Sequence, residues 1–176
     1  MAKASKSGKS STRLDTPTDL SGNATPEIAA ALNGCLADAF ALYMKTKNFH
    51  WHITGPHFRD YHLLFDEQAQ EIYATTDELA ERVRKIGGKT IHSIGEIAKL
   101  QSIKDNNKDF VSAHDMLIEL MADTKTAIKA MRAAHEVADR HEDVATASIL
   151  ENFIDAAEKR HWFLFEASRT GDGSGH

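Results

Sequence analysis

The chain has 176 residues, 41% hydrophobic and 27% charged, with a formal net charge of −5, which is ordinary for one soluble globular domain with a sizeable core. No uninterrupted apolar run approaches the ~20 residues of a membrane span, and the basic N-terminus has no hydrophobic segment behind it, so neither a membrane partner nor a secretory signal is expected. The single cysteine, Cys35, excludes an intrachain disulfide framework and fits a reducing cytosol; its apolar helical surroundings mark it as a small core residue.

Residues 1–24 are rich in Ser, Thr, Gly and Lys and read as a flexible tail. Lys3, Lys6, Lys9 and Arg13 give residues 1–14 a charge of +4 with no acid, which leaves −9 for the rest of a −5 chain. A basic arm on an acidic body assigns polyanions to the arm and cations to the body. The first helix is predicted to open at Thr25-Pro26-Glu27, with Thr25 as N-cap and proline at the first helical position. Ile28, Leu32, Cys35, Ala39, Leu42, Phe49 and Ile53 carry its three-to-four spacing until Gly55-Pro56 stops it. The second helix runs from His57 to Ile86 and ends at Gly87-Gly88. The connector, residues 89–108, holds one short apolar segment (Ile94, Ile97, Leu100) suited to a small helix. The third helix spans Asp109 to Ala138 on Phe110, Leu117, Met121, Ile128 and Met131. The fourth spans Asp143 to Ser168 on Leu150, Phe153, Ile154, Ala157, His161 and Phe165, and residues 171–176 form a frayed end.

No segment alternates with period two, so the fold class is all-α, with residues 25–170 as a four-helix bundle. The short first and last connections make antiparallel hairpins. The long middle connection must cross the bundle's length, so the second and third helices run parallel. One long crossover, here carrying a short extra helix, is the ferritin-like arrangement.

Four of the ten histidines, His50, His52, His57 and His62, fall within thirteen positions, and Asp66 and Glu67 follow. On a helical wheel of the second helix, Phe65, Ala69, Ile72, Thr76, Leu79, Val83 and Ile86 share one core stripe. His62, Asp66, Asp77 and Glu81 form a second stripe beside it, with Arg59, Gln70 and Tyr73. Imidazole with carboxylate suits a transition metal such as Fe(II) or Zn(II). His62–Asp66 and Asp77–Glu81 are both i,i+4 pairs, so each converges on one spot. Asp66 and Asp77 are about 16 Å apart along the axis, whereas metal–ligand bonds are about 2 Å, so one helix cannot bring both pairs to one ion. Two copies, antiparallel about a two-fold axis near Glu71–Ile72, would set one pair against the other and make two identical sites, with His50 as a further ligand. The competing reading is a solvated helix face.

The stretches KTKNFHWHITGPHFRDYHLLFDEQ and DELAERVRKIGG, with their His-Trp, His-x3-Asp and Asp-x3-Glu, resemble the Dps family, small ferritin-like DNA-binding proteins of starved bacterial cells. The resemblance spans residues 25–169 and is strongest over 45–88. It implies a homo-dodecameric shell with ferroxidase sites between two-fold-related subunits. By it, His50, His62 and Asp66 come from one chain and Asp77 and Glu81 from its partner. It further implies oxidation of Fe(II) by hydrogen peroxide or oxygen, storage of ferric mineral, and a cytoplasmic, nucleoid-associated place. The metal is then iron (Fe2+/Fe3+), and zinc fits the same donors. Hard carboxylates favour Fe(III), imidazoles retain Fe(II), and a site with few protein ligands leaves positions for oxidant. Trp51, beside His50, is placed to intercept a stray oxidising equivalent or to pack at the interface. Non-specific DNA binding falls to Lys3, Lys6, Lys9 and Arg13, for which a solubilising arm is the alternative. Glu142 and Asp143 correspond to a pore region for iron entry; Ser148, where many relatives carry an acid, departs from the pattern.

A second function class is a nucleoid architectural DNA-binding protein with a structural or vestigial metal site. An intra-bundle di-iron centre needs two Glu-x-x-His motifs on different helices. This chain has one, Glu158 to His161, and His161 lies on the apolar spacing as a packing residue. His52 and His57 read as neighbours of the turn, and His114, His135 and His141 as exposed.

Overall fold

The structure, a computed structural model, describes residues 14–169. Among them are five helices and no strand: α1 (Ala24–His52), α2 (Phe58–Lys85), α3 (Ile94–Leu100), α4 (Ala113–Arg140) and α5 (Val144–Ser168). This is the predicted all-α bundle of four long helices, with α3 riding on the long crossover.

The helix ends show which local signals were decisive. The first helical hydrogen bond of α1 runs from Glu27 N–H to Asn23 O, 3.2 Å, so Asn23 is the N-cap. Pro26 therefore sits third in the helix, among the positions whose N–H has no partner anyway. Thr25 is not the cap that the sequence suggests. Its Oγ1 donates instead to Ile86 O, 2.8 Å, and ties the start of α1 to the end of α2. That end closes as predicted at the two glycines: Gly87 N–H donates to Arg84 O (3.1 Å) and Gly88 N–H to Val83 O (2.9 Å). Gly87 has φ +83°, and a Cβ there would lie 2.8 Å from Thr16 O. Residues 14–22 cross this end, and Arg84 Nη2 donates to Leu14 O, 2.5 Å.

α4 opens later than predicted. Ser112 Oγ accepts from Asp115 N–H (3.1 Å) and donates to Asp115 Oδ2 (2.7 Å), a reciprocal cap that sets the start. Phe110 consequently precedes the helix and is 69% exposed rather than in the core. Phe165, also on a predicted core spacing, is exposed as well, while Leu150, Ala157 and Leu164 carry the buried face of α5.

α1 runs antiparallel to α2 through Thr25–Ile86 and to α4 through Glu27–His141 and Lys45–Glu119. α2 and α4 are therefore parallel, as the long crossover demands. The predicted stripe of α2, from Phe65 to Ile86, is buried throughout, and each such large apolar side chain contributes about 1.5–3 kcal/mol. By length and composition alone α1 is apolar enough to cross a membrane, but half of its most apolar stretch is buried inside the bundle, as in a core helix. Cys35 is buried as expected, and burial pushes its thiol up to about 12, which makes it unreactive.

Two buried charges on α1 position the rest. Asp38 accepts from Ser102 N–H (2.5 Å), Ser102 Oγ (2.7 Å) and Ile103 N–H (3.2 Å), pinning the crossover to α1. Lys45 Nζ lies 2.9 Å from Glu119 and 2.6 Å from Asp123 of α4. Those acids already have their cation, and Glu158 pairs with Arg132 rather than approaching His161. Among the described residues, no three His, Cys, Asp or Glu converge on a metal position within one chain.

Candidate metal centre

The turn between α1 and α2 brings two predicted ligands face to face. Gly55, at φ +115°, lets residues 53–57 reverse the chain, so the last turn of α1 lies against the start of α2. The rings of His50 and His62 stack there, 3.8 Å between centroids and 22° from parallel. His50 Nδ1 lies 2.7 Å from His62 O, and His62 Nδ1 lies 2.9 Å from His50 O. A carbonyl only accepts, so both Nδ1 atoms carry the proton. In its neutral form each ring held this way presents Nε2 as the lone pair, the tautomer a metal ligand needs. The His50 carbonyl belongs to the last turn of α1, where helical N–H partners run out, so its use here also satisfies a helix end.

Asp66 stands one turn beyond His62. Its Oδ1 is 3.9 Å from His50 Nε2, a gap that two metal–ligand bonds of about 2 Å each can span. Lys47 donates to the same Oδ1 at 2.7 Å, and Gln70 donates to Oδ2 at 3.0 Å. The Lys47 ammonium holds the Asp66 carboxyl below the usual carboxylate range, so Asp66 is an anion. Lys47 was not foreseen from the sequence. Its one local signal is its place three residues before His50, on the same face of α1.

Asp77 and Glu81 do not join this cluster. Both are exposed, farther along α2. Glu81 pairs with Lys85 at 3.1 Å, and Asp77 lines a cavity of about 660 Å³ with Phe40, Tyr73 and His92. One chain thus carries two separated half-constellations on one side of α2.

The profile of the ferritin-like domain matches residues 29–170. Over 137 residues, 78% of this chain and 91% of the relative, the sequence is 35% identical to the DNA protection during starvation protein of Brevibacillus brevis. The backbone resembles the X-ray structure of Dps from Thermosynechococcus elongatus (TM-score 0.83, 30% identity, covering 88% of this chain and 98% of that one). It also resembles the Dps protein of Vibrio cholerae O1, described as a member of a broad superfamily of ferritin-like diiron-carboxylate proteins (TM-score 0.83, 27% identity, 90% and 100% covered). The chain belongs to the Dps family.

The other candidates of this Dps chain fall as follows. Trp51 is 57% exposed, with Lys47 Nζ 5.9 Å from its ring centre. His52 bonds Asn48 O, and His57 is the N-terminal residue before α2 with its ring against Tyr61, so neither joins the cluster. His114 is exposed, but His135 and His141 are half-buried, against Glu151 and Glu27. Asp143 differs from a free pore acid. It is 4% exposed, bonds Arg82 (2.6 Å) and Thr146 (2.6 Å), and caps α5. Glu142, at φ +57°, lines a cavity of about 600 Å³ beside Arg82 and Lys85. Glu142, the exposed one of the two acids, thus has Arg82 and Lys85 beside it in that cavity, along with Asp19. Lys3, Lys6, Lys9 and Arg13 lie outside the described residues.

Proposed function

We propose that this Dps protein oxidises Fe(II) at centres shared by two-fold-related subunits and stores the ferric product inside a closed dodecameric shell. Iron is the substrate. His50, His62 and Asp66 of one subunit bind it together with Asp77 and Glu81 of the partner subunit. The observation that carries the reading is the reciprocal His50–His62 lock beside an ionised Asp66. Two imidazole lone pairs are oriented in advance, and a protein has little reason to fix both tautomers this way on a merely solvated face. The separation of the His62–Asp66 pair from the Asp77–Glu81 pair, with Asp66 and Asp77 about 16 Å apart along α2, supports a two-chain site.

A second feature supports the assembly. Met44, Trp51 and Ile94 are 53%, 57% and 77% exposed and line a groove of about 700 Å³ between α1, α3 and residues 105–108. Apolar surface of this kind beside a half-site suits a second copy of the chain. Each Fe(II) gives up one electron. With peroxide as acceptor, two Fe(II) supply the two electrons, the O–O bond breaks, and its oxygens take up two protons and leave as two waters; the carboxylates favour the loss of those electrons by holding Fe(III) well, while the imidazoles retain Fe(II). Zinc, which cannot be oxidised here, would act as an inert occupant of the same donors.

Anaerobic titration with Fe(II) followed by peroxide tests the reading. Ferric absorbance should grow rapidly in the assembled protein; no growth above that of free Fe(II) refutes it. The basic arm is proposed to hold DNA without sequence preference in the bacterial cytoplasm, placing the shell on the nucleoid. Deleting residues 1–13, short of the anchored Leu14, should abolish retention on DNA at low salt and with it the steep salt dependence. Equal retention by the truncated chain would refute the arm's role.

A further inference from the structure

The half-site of His50, His62 and Asp66 carries two imidazoles, whereas Asp77 and Glu81 are carboxylates alone. The fold brings a histidine to that second half from outside α2. After Gly87-Gly88 the chain turns back and is tied twice to α1: Asn33 Nδ2 donates to Lys89 O (2.9 Å), and Thr90 Oγ1 donates to Asn33 Oδ1 (3.1 Å). Ser93 then caps α3. Its Oγ accepts from Glu96 N–H at 3.3 Å, while Glu96 Oε2 accepts from His92 N–H at 2.5 Å. His92 is thereby set on the wall of the 660 Å³ cavity that Tyr73, Thr76 and Asp77 line from α2. Such a volume has room for an ion and several waters of about 30 Å³ each. His92 Nδ1 lies 3.2 Å from the same Glu96 oxygen. The His92 backbone N–H and ring hold the Glu96 carboxyl below the usual carboxylate range, so Glu96 is an anion and accepts from Nδ1. In its neutral form the ring therefore presents Nε2 as the lone pair, and the carboxylate behind it raises the basicity of that nitrogen. His135 and His141 differ, because Glu151 and Glu27 occupy their Nε2 atoms.

We propose that His92 is a further metal ligand, the imidazole of the Asp77 side of the shared centre, oriented by Glu96. The proposal rests on the two-subunit reading above. Among the described residues no three such groups converge within one chain, so His92 and Asp77 act together with His50, His62 and Asp66 of the partner subunit. A two-fold axis near Glu71–Ile72 sets Asp77 at the height of the partner's Asp66, and His92 opens onto the cavity of Asp77. The ring is 66% exposed in the single chain, so it turns about its own bonds without disturbing the core. Its contribution is chemical. Carboxylates favour Fe(III), whereas imidazole retains Fe(II), so His92 gives the carboxylate side a donor that holds the reduced ion until oxidant arrives. A histidine that only borders the turn before α3 would leave metal affinity untouched when replaced.

The test is titration calorimetry of the assembled protein with Zn(II), a probe that is not oxidised, for wild type, His92→Ala, Glu96→Gln and His62→Ala. His92→Ala should bind Zn(II) about tenfold more weakly or worse, since even the groups behind metal ligands cost about 10–100-fold when changed. Glu96→Gln keeps the cap of α3, which glutamine also makes, and removes only the charge behind the ring. It should weaken Zn(II) by about tenfold, whereas a structural role for the pair would leave the affinity as it was. A wild-type crystal soaked in Zn(II) should show anomalous density about 2 Å from His92 Nε2. Should His92→Ala assemble poorly, His92→Asn carries the same expectation. Zn(II) affinity that is unchanged in the His92 variants, while His62→Ala weakens it, overturns the proposal and leaves the shared centre standing. Zn(II) binding that is absent in wild type, or indifferent to His62→Ala, overturns the metal reading itself and this proposal with it.

Discussion

Replacing His62 and Asp66 together by alanine is expected to slow ferric absorbance growth at least about 100-fold, since even outer-shell changes at metal sites cost 10–100-fold. The bundle should remain folded. Neither side chain belongs to the apolar core, and His50 Nδ1 donates to the backbone carbonyl of residue 62, which alanine keeps. The double variant thus removes two ligands while leaving the third in its orientation. Far-UV circular dichroism and sedimentation should match wild type, and the oxidation rate should not. An unchanged rate in a correctly assembled variant would place the chemistry elsewhere. His52→Ala is the matched control, because its Nδ1 is occupied by Asn48 O outside the cluster and its loss should leave the rate as it was.

Lys45→Met is expected to have the largest effect on stability. The ammonium is one cation among three acids: it touches Glu119 and Asp123, and Asp38 lies on the same helix two turns earlier. Burial already pushes the Asp123 carboxyl up, against the pull of the Lys45 bond, with Glu119 and Asp38 adding to the rise. Removing one partner of a buried pair typically costs 3–5 kcal/mol. Glu119 keeps some contact with water and a hydrogen bond from Asn106 at 2.7 Å, so about 3 kcal/mol is the expected loss near neutral pH. Set against a typical total of 5–15 kcal/mol, that is a large share. The sign with pH follows from linkage. Without Lys45 the folded Asp123 carboxyl rises further above its unfolded value, so the folded state binds protons where the unfolded chain has released them. Acid then favours folding through that window, and the deficit relative to wild type should shrink as pH falls from 7 toward 5. Urea midpoints for both proteins at equal protein concentration check both parts. A midpoint that does not move, or a deficit that grows in acid, would show that the cluster is hydrated rather than buried.

Reading the chain residue by residue recovered what depends on neighbours in sequence. The helical spans, the buried stripe of α2 and the glycine stop at Gly87-Gly88 all follow from spacing and backbone chemistry within a few residues. Apolar spacing alone could not separate core from surface, which is why Phe110 and Phe165 were expected inside and lie exposed. Capping signals were ambiguous for a similar reason. A threonine before a proline has the chemistry of an N-cap, yet Thr25 Oγ1 finds Ile86 O, sixty-one residues away in sequence, and Asn23 takes the position.

By itself, then, the sequence determined four helices, their direction in the bundle, and a second stripe on α2 in which His62–Asp66 and Asp77–Glu81 are each one turn long and about 16 Å apart. These follow because helical geometry is local and periodic: once a segment is helical, every side chain's angle and height are set. Only the tertiary structure decided what meets that stripe. It laid His50 on His62 with both Nδ1 protons committed to carbonyls, put the Lys47 ammonium on Asp66, and turned Asp143 inward to Arg82. Each of these contacts joins two helices. Periodicity states which face a residue occupies but not which residue of another helix lies opposite, and that is settled by packing of the whole bundle.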